Sequence, residues 1–240
     1  MIASEVIWHD IECGGYQEDL PLWRTLARAH SGPILEVGAG TGRVSLDLAR
    51  LGHDVTALDL DAELLGELAR RAAGTGLETV LADARSFTLD RRFALCLVPM
   101  QAIQLLGGSE ERAAFLRCAR ACLAPGGVIA LALSEVVEPY EVIDGVPGPL
   151  PDIRELDGVV YASLPVAIRE ERDVFVIERR REIVGADGAR AVQENKIALD
   201  RIAAEALERE GREAGLRALP RAHISATAEH VGSEVVILCA

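Results

Sequence analysis

Residues 34–42 read Ile34-Leu35-Glu36-Val37-Gly38-Ala39-Gly40-Thr41-Gly42, and they decide the fold of this 240-residue chain. The first four predict a short buried strand that carries a carboxylate, and the glycines predict a tight turn into a helix. A glycine has no Cβ atom, so the turn can adopt positive φ and its backbone can come close to a ligand. The stretch therefore predicts a strand, a ligand-binding turn and a helix.

The spacing of the glycines excludes two common nucleotide-binding turns. Dinucleotide sites use Gly-x-Gly-x-x-Gly, whereas this turn is Gly-x-Gly-x-Gly, and Arg43 stands where the third dinucleotide glycine would fall. No Gly-Lys-Ser or Gly-Lys-Thr follows, so the turn is not a phosphate-binding P-loop.

Strand and helix patterns alternate after the turn. Asp59 ends the second predicted strand, about 20 residues past the turn, which is where a carboxylate meets a ribose in such folds. The predicted elements are a helix over 43–51 and strands over 53–59, 77–82, 93–98 and 128–133, the last preceded by Pro125-Gly126-Gly127. This alternation predicts an α/β fold with a doubly wound, mostly parallel sheet.

This ordered set of features resembles the class I S-adenosylmethionine-dependent methyltransferases, closely over residues 32–134 and loosely over the final third. The resemblance implies a Rossmann-like, mostly parallel seven-stranded sheet with a small antiparallel β insertion after strand five. It also implies an enzyme that transfers a methyl group from S-adenosyl-L-methionine to a small molecule, with S-adenosyl-L-homocysteine as the product.

The resemblance assigns a cofactor role to twelve residues, most of them at strand ends. Asp59 is expected to accept bonds from both ribose hydroxyls, and Glu36 from loop amides or from the ammonium of the methionyl part. Asp83 is expected to accept the adenine amino group, with the Ala84 amide donating to a ring nitrogen; capping of a short helical turn is the alternative for Asp83. The full set is Glu36, Gly38, Ala39, Gly40, Thr41, Gly42, Asp59, Leu60, Asp83, Ala84, Arg85 and Pro99.

Acceptor-side residues are expected after strand four and in the first 31 residues. Methyl transfer needs alignment of three atoms and exclusion of water, and a base helps only when the nucleophile holds a proton of high pKa. Tyr16 and His9 are the candidate catalytic residues, with ordinary packing as the alternative for both. Met100, Gln101 and Gln104 are the candidate substrate-binding residues, with solvent exposure as the alternative for the two glutamines.

The chain is expected to fall into four segments. These are a helical lead-in or lid over 1–31, a cofactor-binding core over 32–134, an inserted antiparallel subdomain over 135–199, and a final helix and terminal hairpin over 200–240. Ser109 is expected to cap a helix and Gly215 to end another. The inserted subdomain is expected to wall the acceptor site with an apolar face made of Val159, Tyr161, Val174, Val176 and Ile177.

The charge and the residue composition of the chain argue against nucleic acid and metal ions as its ligands. The net charge of −13 argues against nucleic acid, because phosphate binding needs a basic surface. After strand four the chain reads Val98-Pro99-Met100-Gln101, without the aromatic residue on which base-methylating enzymes stack a flipped base. Five cysteines with no Cys-x-x-Cys predict neither a disulfide framework nor a zinc site, and no metal is expected.

The start of the chain and its hydropathy give expectations about location. Residues 1–5 lack a signal-peptide pattern, and no run of about 18 apolar residues occurs, so no membrane partner and a cytoplasmic location are expected. A homodimer is left open.

Two functions of other classes compete with methyl transfer. An NAD(P)-dependent oxidoreductase is disfavoured by Arg43 in the third glycine position and by the lack of a Tyr-x-x-x-Lys pair. A noncatalytic nucleoside-binding protein is not excluded, because methyl transfer needs no diagnostic side chain.

Overall fold

The computed structural model describes residues 5–143, 148–227 and 230–240. The residues of the signal-peptide argument, 1–5, therefore lie almost entirely outside the described residues. Along the chain the elements are α1 Glu5–Glu12, α2 Leu20–Ala29, β1 Ile34–Val37, α3 Arg43–Arg50, β2 Val55–Asp59, α4 Ala62–Arg71, β3 Glu78–Leu81, β4 Phe93–Val98, a 3-10 helix Ala102–Leu105, α5 Ser109–Cys122, β5 Leu123–Leu133, β6 Tyr140–Glu141, β7 Asp152–Leu156, β8 Val159–Glu170, β9 Val174–Val184, β10 Arg190–Asp200, α6 Ala204–Glu213, β11 Arg217–Ile224 and β12 Ser233–Cys239.

The chain folds as two compact units. The core unit contains residues 16–135 and 202–240, and the insertion unit contains residues 1–15 and 136–201. The lead-in expected over 1–31 is therefore divided, since its first helix belongs to the insertion unit and its second to the core unit.

The core unit is built on a seven-stranded sheet in the order β11-β12-β5-β4-β1-β2-β3. The pairs β1–β2, β1–β4, β2–β3 and β4–β5 are parallel, while β12 is antiparallel to both β5 and β11. The predicted fold class is confirmed, including the terminal hairpin. The strand order reverses at β1, so a switch point lies between β1 and β4, where ligands bind in open α/β sheets.

Alternation along the central strands builds the two faces of this sheet. Leu35 and Val37 of β1 pack with α5 and α6, whereas Ile34 packs with α2 and α3. Leu95 and Leu97 of β4 lie on the α2–α3 side in the same way. Because both faces are covered, these strands are apolar nearly throughout, which is why their sequence predicts them well.

Helix ends agree with the sequence in part. Gly215 follows α6 with φ of 82°, as expected for a glycine that ends a helix. The prediction that Ser109 caps α5 is wrong, because Ser109 is already helical and Gly108 holds the cap position without a side-chain bond. Helix α4, which the sequence analysis did not identify, starts at Asp61, whose carboxylate accepts the Glu63 and Leu64 amides.

The insertion unit is an antiparallel sheet in the order β10-β9-β8-β6, with β7 also paired to β8. An antiparallel sheet is therefore present in the insertion, as predicted after strand five. Helix α1 covers part of one face: the Trp8 ring meets Tyr161 edge-on at 5.8 Å, and Trp8 forms a buried cluster with Ile183. Glu12 of the same helix pairs with Arg181 at 2.8 Å and accepts the Ser163 hydroxyl.

The residues expected to form one apolar face of this sheet lie on both of its faces. Tyr161 lies opposite Ile183 in the β8–β9 register, and Ile168 lies opposite Ile177, so Tyr161 and Ile177 share the face that α1 covers in part. Val174 and Val176 alternate with Ile177 along β9 and therefore point to the other face. That other face also carries Glu178, which pairs with Lys196 and Arg169.

Among the described residues, no helix combines the length and the apolar character needed to cross a bilayer.

Candidate functional site

The glycine turn after β1 has the conformation that its sequence predicts. Gly38, Gly40 and Gly42 adopt φ of 75°, 53° and 94°. A Cβ atom at Gly42 would lie 2.1 Å from Cδ1 of Leu68, and one at Gly38 would lie 3.0 Å from Cβ of Ala102. These two glycines are thus needed for packing within the core unit as well as for the turn.

Asp59 joins the glycine turn to the end of β2. Its Oδ2 accepts the Gly40 amide at 2.7 Å, and its Oδ1 accepts the Asp61 amide at 2.9 Å. A carboxylate oxygen has two lone pairs, so each oxygen keeps capacity for one more donor. Next to it, the Leu60 side chain is 66% exposed, which leaves an apolar surface beside the carboxylate at the strand ends.

Asp83 follows β3, next to the end of β2. Its Oδ1 accepts the Arg85 amide at 2.8 Å, and its Oδ2 pairs with the Arg85 guanidinium at 2.6 Å. The Arg85 guanidinium lowers the pKa of Asp83 to about 2. The turn-capping arrangement, which was the alternative for Asp83, is therefore present, while Ala84 packs against the core beside it.

Glu36 is buried inside β1, on the face that meets α2 and α3, and is only 2% exposed. Its carboxyl group accepts the hydroxyl of Ser45 on α3. Burial raises the pKa of Glu36 to about 7, despite the opposing effects of Ser45 and Arg43.

The residues after β4 have an unusual backbone. Pro99 is buried, and Met100 and Gln101 follow with φ of 47° and 56°, a region that non-glycine residues rarely adopt. The Gln101 amide donates to the hydroxyls of Ser134 and Ser233, at 3.1 and 3.0 Å. The strained turn is thus held by the ends of β5 and β12, and such strain clusters at functional sites.

Gln104 does not lie where an acceptor would reach it. Its side chain is fully buried, its Nε2 donates to the Ser134 carbonyl at 3.0 Å, and its Oε1 accepts the Ser134 amide at 2.8 Å. The expectation that Gln104 contacts substrate is corrected for this reason: its amide joins the segment after β4 to the end of β5.

Tyr16 lies in the core unit, against the start of α3. The Arg43 guanidinium lies 5.2 Å from the Tyr16 ring centre and donates to the Tyr16 carbonyl at 2.9 Å. The His230 ring, from the β11–β12 connection, lies 4.8 Å from the Tyr16 ring. Burial, followed by the nearby Asp19, raises the pKa of Tyr16, so its hydroxyl stays protonated at neutral pH.

Arg43 itself is held by a buried carboxylate. Asp19 accepts both Arg43 amines, at 2.6 and 2.7 Å, and also the indole N–H of Trp23 at 2.7 Å. Arg43, which stands where a dinucleotide site would have its third glycine, therefore connects α3 to the start of α2 and positions the backbone of Tyr16.

His9, the second candidate base, lies on α1 in the insertion unit, whereas Tyr16 belongs to the core unit. The structure thus assigns the two candidate catalytic residues to different units.

Five residues at the site were missed from sequence: Asp19, Ser45, Ser134, His230 and Ser233. Ser45 contacts Glu36, nine residues away, and the other four act through contacts with residues more than 20 positions away. The only signal in the sequence was Arg43, which stands where the dinucleotide spacing would have its third glycine. Among the described residues, no group of three or more His, Cys, Asp or Glu side chains could hold a metal ion.

The sequence and the fold are both similar to those of known proteins. A family profile described as "Methyltransferase domain" matches residues 34–127. A cypemycin N-terminal methyltransferase from Streptomyces sp is 31% identical over 105 residues, which are 44% of this chain and 43% of that protein. An rRNA adenine N-6-methyltransferase from Corynebacterium diphtheriae is 34% identical over 64 residues, which are 27% of this chain and 25% of that protein.

The fold is similar to that of CalS10, an amino pentose methyltransferase from Micromonospora echinaspora whose structure contains bound S-adenosylmethionine. The TM-score is 0.71 at 23% identity, over 99% of this chain and 98% of that one. The similarity to the two curated relatives, in contrast, spans less than half of their length.

Proposed function

We propose that the chain, whose residues 34–127 match a methyltransferase-domain profile, is a class I S-adenosylmethionine-dependent methyltransferase that transfers the methyl group to a small, neutral or cationic acceptor. The observation that carries the proposal is the bond from Asp59 to the Gly40 amide. It brings a carboxylate and a glycine turn together at the carboxyl ends of parallel strands, beside the switch point where such folds bind ligands.

The residues present fit a nucleoside-containing cofactor. Asp59 keeps a free lone pair on each oxygen for ribose hydroxyls, and the exposed Leu60 offers an apolar surface to a base. Asp83 stays ionised because its pKa is about 2, so it acts only as an acceptor. An adenine amino group is a matching donor. The glycine turn faces the same edge and would border the methionyl part.

S-adenosylmethionine supplies an electrophilic methyl group on a positive sulfur. The chain has to align the acceptor with that group and to exclude water. Alignment of this kind contributes about 7–11 kcal/mol in well-oriented systems. Tyr16, with its raised pKa, acts as a hydrogen-bond donor or as an apolar wall and does not remove a proton. The proposed role of Tyr16 is therefore positioning.

The chain's charge favours the small acceptor over RNA. A net charge of −13 repels a polyanion, and Met100 and Gln101 stand where a flipped base would need an aromatic platform. The rRNA-modifying relative argues for the opposite acceptor, although the similarity to it covers only a quarter of its length. CalS10, similar over nearly its whole length, acts on an amino pentose.

Calorimetry with S-adenosylmethionine, S-adenosylhomocysteine and NAD tests the cofactor. We expect both sulfur nucleosides to bind and NAD not to bind. Asp59→Ala should weaken binding by about 1.5–3 kcal/mol, the value of bonds to a charged group, which is roughly a ten- to hundredfold rise in Kd.

Asp61→Ala is the matched control for that variant. It removes the α4 cap, which costs about 0.5–2 kcal/mol of stability, but leaves the Asp59 carboxylate in place, so Kd should hardly change. Equal loss of affinity in both variants, or tight binding of NAD, would contradict the proposed site.

Release of S-adenosylhomocysteine tests the acceptor. Amino sugars, other small amines, small alcohols, peptides with a free N-terminus and purified RNA are offered in parallel at matched concentration of acceptor groups. We expect turnover with the small acceptors. If RNA or the peptides were the best acceptor, the small-molecule part of the proposal would be wrong, whereas the cofactor part would stand on the calorimetry.

A further inference from the structure

Strand β10 is a long, regular edge. It pairs with β9 over all eleven residues, from Arg190 opposite Val184 to Asp200 opposite Val174, with no register shift. It is the last strand in its sheet, so in the part of the chain that the structure describes no strand pairs with its other side. It contains neither proline nor glycine.

The two edge strands of the core sheet have features that prevent pairing with another chain and that β10 lacks. In the core unit, β3 has only four residues, and β11 contains Pro220 and a register irregularity between Leu219 and Ala222. Short length, proline, bulges and charged side chains are features by which natural sheets prevent edge pairing. Of these β10 has only the charges, Glu194 and Lys196, so its eleven-residue edge is open to a partner whose own charges are complementary.

The exposed face of β10 carries one charge of each sign near its middle. Val192, Glu194, Lys196 and Ala198 all point to the exposed face, and the Val192 side chain is 52% exposed. Lys196 is the only lysine of the chain, in which arginine supplies every other long basic side chain. It pairs with Glu178 of β9 at 2.8 Å and still remains 59% exposed, so its ammonium has room for a second carboxylate.

This charge pattern is self-complementary. When two copies of β10 run antiparallel with Asn195 opposite Asn195, Glu194 of each copy lies opposite Lys196 of the other. Val192 then lies opposite Ala198 on the same face. Directly opposite side chains have Cβ atoms about 4.5–5.5 Å apart, at which opposite charges attract and like charges repel. Any other occupant would have to present the same sequence of charges in the same register.

Asn195, at the centre of this register, gives a second observation. Its Oδ1 is buried and has no hydrogen-bond partner among the described residues. An unsatisfied buried oxygen is unfavourable, because it has lost its hydrogen bonds to water. The carboxamide of the second copy carries two N–H donors, and rotation of the Asn195 side chain out of its buried position would bring Oδ1 within reach of them.

We propose that β10 is the dimer contact of this protein. Two copies pair antiparallel about a two-fold axis at Asn195, and the two five-stranded sheets become one continuous ten-stranded sheet. Such a contact is isologous, because the same surface serves both subunits, and it closes at two copies. The proposal does not depend on the reaction that the protein catalyses.

Charge reversal on the full chain tests the register. Glu194→Lys places two pairs of like positive charges across the axis, and Lys196→Glu places two pairs of like negative charges. We expect sedimentation velocity to show a wild-type dimer at micromolar concentration, and each variant alone to dissociate at concentrations at least tenfold higher. An equimolar mixture of the two variants should form a heterodimer, because every central pair is then of opposite charge.

Glu178→Gln is the control, since it removes the Lys196 pair within the chain and leaves the central register unchanged; it should remain dimeric. Circular dichroism establishes that each variant is folded. A wild-type chain that stays monomeric at about 100 µM, a concentration that would detect even weak association, would overturn the proposal. So would a dimer that either reversal leaves intact, or a mixture of folded variants that does not associate. A monomer that captures an extended peptide at this edge would assign the edge to another protein.

Discussion

At the scale of single residues, Glu36 is held in an environment that opposes its charge. The side chain is almost inaccessible, and its partner is a neutral hydroxyl, Ser45. Burial of a carboxylate favours the protonated form, and this accounts for a pKa raised from 4.5 to about 7. Below that pH the folded protein holds a proton on Glu36 that the unfolded chain releases above about 4.5.

Stability is therefore linked to the protonation of Glu36. Because the folded state binds the proton more tightly, this contribution is fully present below pH 4.5, declines as pH rises, and is lost above about pH 7. A tenfold difference in proton affinity between the folded and unfolded states corresponds to about 1.4 kcal/mol. Between pH 5.5 and 8, wild type should lose on the order of 1–3 kcal/mol of unfolding free energy that Glu36→Gln retains.

Urea unfolding of both proteins at each pH measures this difference, and the comparison cancels the other carboxylates. Parallel pH profiles for wild type and Glu36→Gln would show that Glu36 has an ordinary pKa.

Gly42 has a left-handed backbone conformation and is closely packed. Gly52 has the same backbone conformation without the close packing, so it serves as the control for Gly42. Both have positive φ, 94° and 88°, but a Cβ at Gly42 would meet Leu68 at 2.1 Å, while one at Gly52 would meet nothing within 4 Å. Alanine at Gly52 should cost about 1–2 kcal/mol, the backbone cost alone. Alanine at Gly42 should cost about 1–3 kcal/mol more, from overpacking. Equal losses of urea stability would mean that Leu68 moves aside freely.

Residue positions were predictable from sequence where the backbone itself is involved. The positive φ values of Gly38, Gly40 and Gly42 and the place of Asp59 at the end of a strand were predicted correctly, since a tight turn and a strand end are local properties. Gln104 was placed on the acceptor side, yet it is bonded to Ser134, thirty residues away. Nothing in the local sequence shows which polar side chain has a distant partner.

At the scale of elements, α2 and α3 are joined by two ion pairs of different burial. Arg43 and Asp19 are 10% and 1% exposed, whereas Arg24 and Asp47 are 38% and 20% exposed. Removing one partner of a buried pair leaves an uncompensated charge, while exposed pairs are screened by water.

Arg43→Ala should destabilise the core unit by about 3–5 kcal/mol, because Asp19 is then buried and charged without its partner. Arg24→Ala, which breaks the exposed bridge between the same two helices, should change stability far less. Chemical denaturation compares the two variants directly. A loss of similar size in both would show that the pairs act by holding the helices together and not through burial of charge.

Elements were predictable in proportion to their burial. The central strands are apolar on both faces, and the sequence identifies them within a few residues. Strand β7 is mostly exposed, and its sequence Asp-Ile-Arg-Glu-Leu offers no apolar stripe, so pairing with β8 alone defines it. Helix α1 lies in the lead-in that was expected to be helical, but its bounds were not predicted, because its apolar residues are covered by strands more than 140 residues away along the chain.

At the scale of the whole molecule, each unit contains one tryptophan. Trp8 is buried in the insertion unit and Trp23 in the core unit, and both are inaccessible to solvent. Tryptophan emission shifts when the ring becomes exposed. The variants Trp8→Phe and Trp23→Phe thus each retain a reporter for one unit.

We expect S-adenosylhomocysteine to stabilise the Trp23-reported transition and to leave the Trp8-reported transition unchanged. A ligand at a hundred times its Kd adds about 2.7 kcal/mol to the state that binds it, and the proposed cofactor residues lie in the core unit. Urea titrations of both variants, with and without ligand, measure the two transitions. Equal stabilisation of both would show that the units unfold as one, and stabilisation confined to the Trp8 reporter would place the ligand in the insertion unit.

The mostly parallel seven-stranded sheet of the core unit was predicted through the resemblance, and the position of the insertion was predicted from a change in pattern at residue 135. The association of residues 1–15 with residues 136–201 was not, because the bond between Glu12 and Arg181 joins positions 169 residues apart. Sequence patterns describe neighbours along the chain and give no information on such distant pairs.

The position of β12 between β11 and β5 has a consequence for synthesis of the protein in the cell. Strand β5 ends at residue 133, but the strand that covers its edge begins only at residue 233. At about 5–20 residues per second, a ribosome needs roughly 5–20 s to supply it. Throughout this interval the nascent chain presents Val128-Ile129-Ala130-Leu131-Ala132-Leu133 as an open, apolar edge. A chaperone that shields extended apolar segments would act on this chain at that stage, and messages with early stop codons after residue 135 would yield aggregates.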